Sequence, residues 1–157
     1  MIQSKTSQWF EAKARYEVYI EQTQKAKKIN QSFVIDAMTF AEAEARVTEH
    51  VMSKFTGKDI FYVKDTFEIL TITKATYTNI LSADTEGEDN RFFKCKISIL
   101  YTDDVGEEKK YPEIHLVKAS SLDSALKIIT EYYAGDKRDY ERSAITETKI
   151  KESIETH

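Results

Sequence analysis

Trp9-Phe10-Glu11-Ala12-Lys13-Ala14 returns later in the chain as Phe92-Phe93-Lys94-Cys95-Lys96-Ile97, and that return decides the fold. Each stretch alternates with period two, the signature of a half-buried strand. In the first, Phe10, Ala12, Ala14 and Tyr16 form an apolar row, and Trp9, Glu11, Lys13 and Arg15 face the other way. In the second, Phe93, Cys95, Ile97 and Ile99 form the apolar row opposite Phe92, Lys94, Lys96 and Ser98. Two further blocks repeat in the same order. Phe33-Val34-Ile35-Asp36-Ala37-Met38-Thr39-Phe40-Ala41-Glu42-Ala43 reads against His115-Leu116-Val117-Lys118-Ala119-Ser120-Ser121-Leu122-Asp123-Ser124-Ala125, and Ile72-Thr73-Lys74 against Ile145-Thr146-Glu147. The offsets are 83 (Trp9 to Phe92), 82 (Phe40 to Leu122) and 73 residues (Ile72 to Ile145). One duplicated unit, with the second copy about ten residues shorter after its helix, accounts for all three.

Working outward, each copy reads as strand, loop, strand, helix, strand. The second strands are placed at residues 33–37 and 114–119, with Pro112 just before the latter. Residues 22–28 and the turn Asp103-Asp104-Val105-Gly106 read as the hairpin connections. Thr39 and Ser121 are placed to cap the helices that follow, because their hydroxyls accept from orphan N–H groups of the first turn. Thr39 with Glu42 forms a capping-box pattern. Phe40, Ala43, Val47 and Val51 make one helical stripe; Leu122, Ala125, Leu126, Ile129, Tyr132 and Tyr133 make the other. Gly57 and Gly135 follow as helix stops. Residues 67–80, rich in Thr, Ile and Tyr, read as the closing strand of copy one, and residues 140–150 as that of copy two. A short extra strand at Ile60-Phe61-Tyr62-Val63 has no counterpart.

The fold class expected is α+β: two tandem β-β-α-β repeats forming a pseudo-twofold unit, antiparallel sheet with helices on one face. Residues 1–81 form the first repeat, 82–90 a linker, 91–150 the second repeat and 151–157 a frayed polar tail.

At 157 residues, 41% of them hydrophobic, the chain is long and apolar enough to bury a core, which excludes global disorder. A net charge of −4 argues against a polybasic nucleic-acid binder while leaving room for a local basic face. Cys95 is the single cysteine, so no intrachain disulfide forms, in keeping with a reducing compartment. With no apolar leader and no apolar run of about 18–20 residues, the expected location is cytoplasmic, with no membrane partner.

The segments Trp9-Phe10-Glu11-Ala12-Lys13-Ala14-Arg15-Tyr16-Glu17, residues 34–46 and Arg91-Phe92-Phe93-Lys94-Cys95-Lys96 resemble an uncharacterised domain family of gut-type anaerobic bacteria, their phages and mobile elements. Its members begin with Trp-Phe-Glu-x-Lys-x-Arg-Tyr-Glu and repeat an aromatic-Lys-x-Lys strand. The resemblance covers most of the chain. It implies fold and a phage or mobile-element context, and it carries no activity to transfer.

The residues themselves suggest no catalytic set. His50, His115 and His157 stand far apart, and none has a second ligand at metal spacing. His50 reads as a boundary or core histidine, and His115, aligned with Phe33, as a packing residue. Cys95, on an apolar row, reads as an inert thiol. The four glycines make no phosphate loop. We therefore expect no enzyme, no metal and no cofactor. The constellation that stands out is the outer row of the two matching strands: Trp9, Lys13 and Arg15 in one copy, Phe92, Lys94 and Lys96 in the other. Aromatics beside cations on an open sheet can stack bases and hold phosphates. Lys109-Lys110 and Lys25-Ala26-Lys27-Lys28 add a basic grip at one end. The plainer reading is that these cations solvate the sheet and guard its edges, with Trp9 and Phe92 capping the core. The function expected is that of a non-enzymatic binding or adaptor protein contacting a nucleic acid or a nucleoprotein through that face, with a protein partner as a separate possibility. The alternative is a protein that sequesters a nucleotide or small molecule in a pocket between the repeats. A homodimer could close an odd sheet edge.

Overall fold

A computed structural model describes residues 8–55, 59–82 and 91–155. Gly57, His157 and linker residues 83–90 lie outside the described residues. The described chain is α+β, with two helices and two mostly antiparallel sheets. It divides into two compact units, Met1–Ala75 with Ile150–His157, and Thr76–Lys149.

In the first unit, β1 (Gln8–Ile20) and β2 (Lys25–Ala37) form a long antiparallel hairpin, followed by α1 (Phe40–Ser53). On its other side β1 pairs antiparallel with β3 (Ile60–Tyr62) and β4 (Glu68–Ala75). In the second unit, β5 (Asn79–Ser82) precedes the hairpin of β6 (Arg91–Thr102) and β7 (Glu108–Ala119). There follow α2 (Leu122–Tyr133) and β8 (Asp139–Glu147), giving the strand order β5-β7-β6-β8. The last strand, β9 (Ile150–Ile154), runs parallel to β2 in the first unit, and β5 runs parallel to β7 in the second.

The repeat is legible in this layout: β1 matches β6, β2 matches β7, α1 matches α2 and β4 matches β8. The strand after β4 lies in the second sheet, and the strand after β8 lies in the first. Each copy therefore contributes its final strand to the sheet of the other. A register shift also recurs. It falls between Lys13 and Ala14 where β1 meets β4, and between Lys96 and Ile97 where β6 meets β8, the same point at an offset of 83.

The cores follow the alternation. Phe10, Ala12, Ala14 and Tyr16 pack with Phe33, Ile35 and the α1 residues Ala43, Val47 and Val51. Phe93, Cys95, Ile97 and Ile99 pack with Val117 and the α2 residues Ala125, Ile129 and Tyr133. Phe40 and Leu122, at the helix starts, and Tyr132 are exposed members of the expected stripes. Both caps form: Thr39 Oγ1 accepts from the Glu42 N–H at 3.1 Å, and Ser121 Oγ from the Ser124 N–H at 3.1 Å. Glu42 reaches back to the Met38 N–H, one residue earlier than the capping box needs.

Four local expectations change. Residues 25–28 belong to β2, and Lys109 and Lys110 to β7, because both hairpins extend as ribbons past the core. Pro112 sits inside β7 opposite Ser98; β5 reaches β7 only at His115–Lys118, so the side lacking an N–H has no strand beside it. Residues 67–80 break at Thr76-Tyr77 into β4 and β5, which enter different sheets. The expected polar tail begins as β9, with Ile150 buried and Ile154 packed on the first core. Among the described residues, no helix is long and apolar enough to cross a membrane.

Candidate functional site

The outer row of each central strand is set by the pleat, and the register shows what faces it. Trp9 and Phe92 are 3% and 1% exposed. Their cross-strand partners are Asp36 and Lys118, beside the fully buried Val34 and Leu116. At this end of each outer face the aromatic rings are packed away and present no platform for a base. The Lys118 Nζ lies 6.0 Å from the Phe92 ring centroid, over its face.

The cations divide. Arg15 donates to Glu68 at 2.8 Å, and Lys109 lies 3.3 Å from Asp103. Lys110 lies 3.9 Å from Glu141. Lys13 is exposed between Ser32 and Thr71, in a row that also carries Glu11. Lys94 is exposed between Leu116 and Thr146, and Lys96 between Ile114 and Ala144. Neither Lys94, Lys96 nor Lys118 forms an ion pair among the described residues. Successive same-face residues stand about 6.6 Å apart along a strand, and Lys118 is the diagonal cross-strand neighbour of Lys94. The second unit thus gathers three unneutralised lysines. Lys118 was not among the residues read from the sequence; the β6–β7 register is the signal that finds it.

The opposite face of β7 carries a polar network that periodicity alone does not reveal. Arg138 donates to both carboxylate oxygens of Glu113, at 2.9 and 3.2 Å, and to Tyr111 Oη at 3.0 Å; it also pairs with Asp136 at 2.7 Å. These donations hold Glu113 below the usual carboxylate range and Asp136 down to about 2. An ionised Glu113 only accepts, so Tyr133 Oη donates to its Oε1 at 2.8 Å. The Tyr133 oxygen then accepts from His115 Nε2 at 2.6 Å. His115 consequently carries a proton on Nε2. Its Nδ1 is buried without a partner among the described residues. Burial keeps the imidazole below its ordinary pKa, and burial followed by Glu113 raises the Tyr133 phenol.

The first copy shows what this network replaces. By the 82-residue offset, His115 corresponds to Phe33, Tyr132 to His50 and Tyr133 to Val51. Phe33 and His50 meet edge to face with centroids 6.0 Å apart, and His115 and Tyr132 meet at 4.9 Å. The ring contact between second strand and helix is kept, while the histidine changes sides. In copy one His50 pairs with Glu152 of β9, which also binds Lys54.

Cys95 is 2% exposed, and burial pushes its thiol up to about 11, which disfavours the thiolate at neutral pH. Among the described residues no three His, Cys, Asp or Glu side chains gather in a way that could hold a metal. A cavity of about 240 Å³ opens between α2 and β8, reaching Cys95, and a wider one of about 400 Å³ lies beside His50 and Ile154.

The family model described as Domain of unknown function (DUF4494) matches residues 8–156. No match was found among curated proteins.

Proposed function

The chain belongs to this family of domains of unknown function, and from that premise we propose a non-enzymatic adaptor that grips a phosphate-bearing partner, a nucleic acid or nucleoprotein, through the outer face of its second sheet. The observation that carries this reading is the cluster Lys94, Lys96 and Lys118, none with a carboxylate partner among the described residues. The contact is electrostatic: lysines meet phosphates, and the buried Phe92 supports Lys118 from beneath instead of stacking a base. Such contacts position a partner without reading its sequence. The buried thiol of Cys95 and the enclosed His115 support a binding role over a catalytic one. A phage or mobile-element setting, which the resemblance of the strand motifs implies, would put host nucleic acid or nucleoprotein within reach of such a grip.

The test is fluorescence anisotropy with labelled single- and double-stranded oligonucleotides at several salt concentrations. Three phosphate contacts give a slope of log K against log salt of about −2 to −3. The triple variant K94A/K96A/K118A removes most of that slope while K13A leaves it. Absence of binding at low salt, or an unchanged slope in the triple variant, defeats the proposal.

A further inference from the structure

The register shift in the second sheet has a chemical result. Ala144 faces Lys96, and Arg142 faces Ile97, so Ser143 is the extra residue of a β-bulge. Without the bulge, Arg142 would lie opposite Ser98, on the outer face. With it, Arg142 stands opposite Ile97, on the α2 side, where it lines the 240 Å³ cavity.

The first copy has the same bulge and serves as an internal comparison. There, Ile69 takes the corresponding position, opposite Ala14, at the 73-residue offset that also relates Ile72 to Ile145. Ile69 packs on the first core. The second copy has a guanidinium where the first has a core side chain, and it keeps an open cavity there. The rest of that wall is mostly apolar, Cys95, Ile97, Leu126, Ile129, Ala144 and Ile145, with Ser143 as its other polar residue.

Arg142 also differs from every other arginine in the chain. Arg15, Arg46, Arg91 and Arg138 each form an ion pair with a carboxylate. Arg142 forms none among the described residues. A guanidinium stays charged at any physiological pH, and its fork matches a carboxylate with two parallel hydrogen bonds.

The geometry points to a binding site for a small carboxylate with an apolar body, its carboxylate on Arg142 and its hydrocarbon against Ile97, Ile129 and Cys95. At roughly 30 Å³ per water-sized group, 240 Å³ holds about eight such groups. That is the size of hexanoate or benzoate, below the range of drug-sized ligands. The site lies on the opposite sheet face from Lys94, Lys96 and Lys118, so it stands or falls apart from the phosphate grip.

The experiment is a thermal-melt titration of the whole chain with hexanoate and benzoate, with hexan-1-ol and benzyl alcohol as uncharged counterparts. A ligand at ten times its Kd raises the melting temperature by about 3–6 °C for a chain of this size. The expected result is a rise with the acids that the alcohols do not match at equal concentration. R142I, which installs the residue of the first copy, abolishes the rise and melts no lower than the parent without ligand. R142K retains part of it, and K94A/K96A leaves it unchanged. The site is overturned if neither acid raises the melting temperature, if the alcohols act as strongly as the acids, or if R142I still responds.

Discussion

Replacing Tyr133 with Phe removes one hydroxyl from the interior of the second unit, and its cost follows from the network. Two hydrogen bonds disappear. Glu113 remains held by Arg138, so that end loses little. His115 is fully buried and its Nδ1 already lacks a partner, so losing Tyr133 strands Nε2–H as well. A buried donor left unpaired costs about 1–3 kcal/mol, and with full burial and little added at the Glu113 end the expected destabilisation is in the upper part of that range, about 2–3 kcal/mol. Thermal melting should fall by roughly 4–12 °C. The first copy suggests the rescue, because Phe33 stands where His115 does. H115F leaves Tyr133 donating to Glu113 and should cost about 1 kcal/mol. In the double variant the stranded donor no longer exists, so its cost is below the sum of the singles by at least about 1 kcal/mol. Urea denaturation of the four proteins measures this coupling. A neutral Y133F, or costs that add to within about 0.5 kcal/mol, would show that the hydrogen-bond chain is not what holds this region.

The remaining expectations concern acid, edges and caps. His115 has a folded-state pKa below its unfolded value of about 6.5, so its neutral form contributes stability above that value; this is lost as pH falls from about 6.5 through the folded pKa. Denaturation midpoints should decline over that window in the parent and decline less in H115F; equal slopes would exclude His115 as the source. Ending the chain at Lys149 removes β9 and uncovers the β2 edge at Phe33–Ile35, so it should destabilise strongly, and I150A alone should cost about 2 kcal/mol or more, whereas deleting a mere tail would be neutral. Fragments 1–86 and 87–157 produced together should purify as a complex, since β5 on the first fragment pairs with β7 on the second and β9 on the second pairs with β2 on the first; recovery of separate folded fragments would contradict that pairing. T39A should lower stability by about 1 kcal/mol through loss of the bond to the Glu42 N–H, read by denaturant melts.

What could be read from the residues was what one-sided burial imposes. Phe10, Ala12 and Ala14, and Phe93, Cys95 and Ile97, must alternate because one face packs under a helix, so the strands and their duplication are visible as pattern. Residues 25–28 show no alternation because they are exposed on both faces, and their strand is fixed by pairing with β1 alone. The choice of sheet for β5 and β9 is not local at all; four or five residues carry no mark of which partner they join. The lysine cluster was half legible. Lys94 and Lys96 follow from one strand's period, while Lys118 requires the register between two. The burial of Trp9 and Phe92 fits the plainer reading, in which they cap the core; the polar residues sharing their row left the exposed reading open beside it. Arg142 was hidden for a different reason: a single inserted residue reverses the face that counting by twos assigns.

The traded strands also order events in time. β2 is made early, but the strand that borders it, β9, is synthesised only after the whole of the second unit. During translation the backbone groups of Phe33–Ile35 on that side lack their strand partner, an edge open to pairing with another nascent chain. A slow step anywhere in the second unit would prolong the time for which that edge of the first stays open.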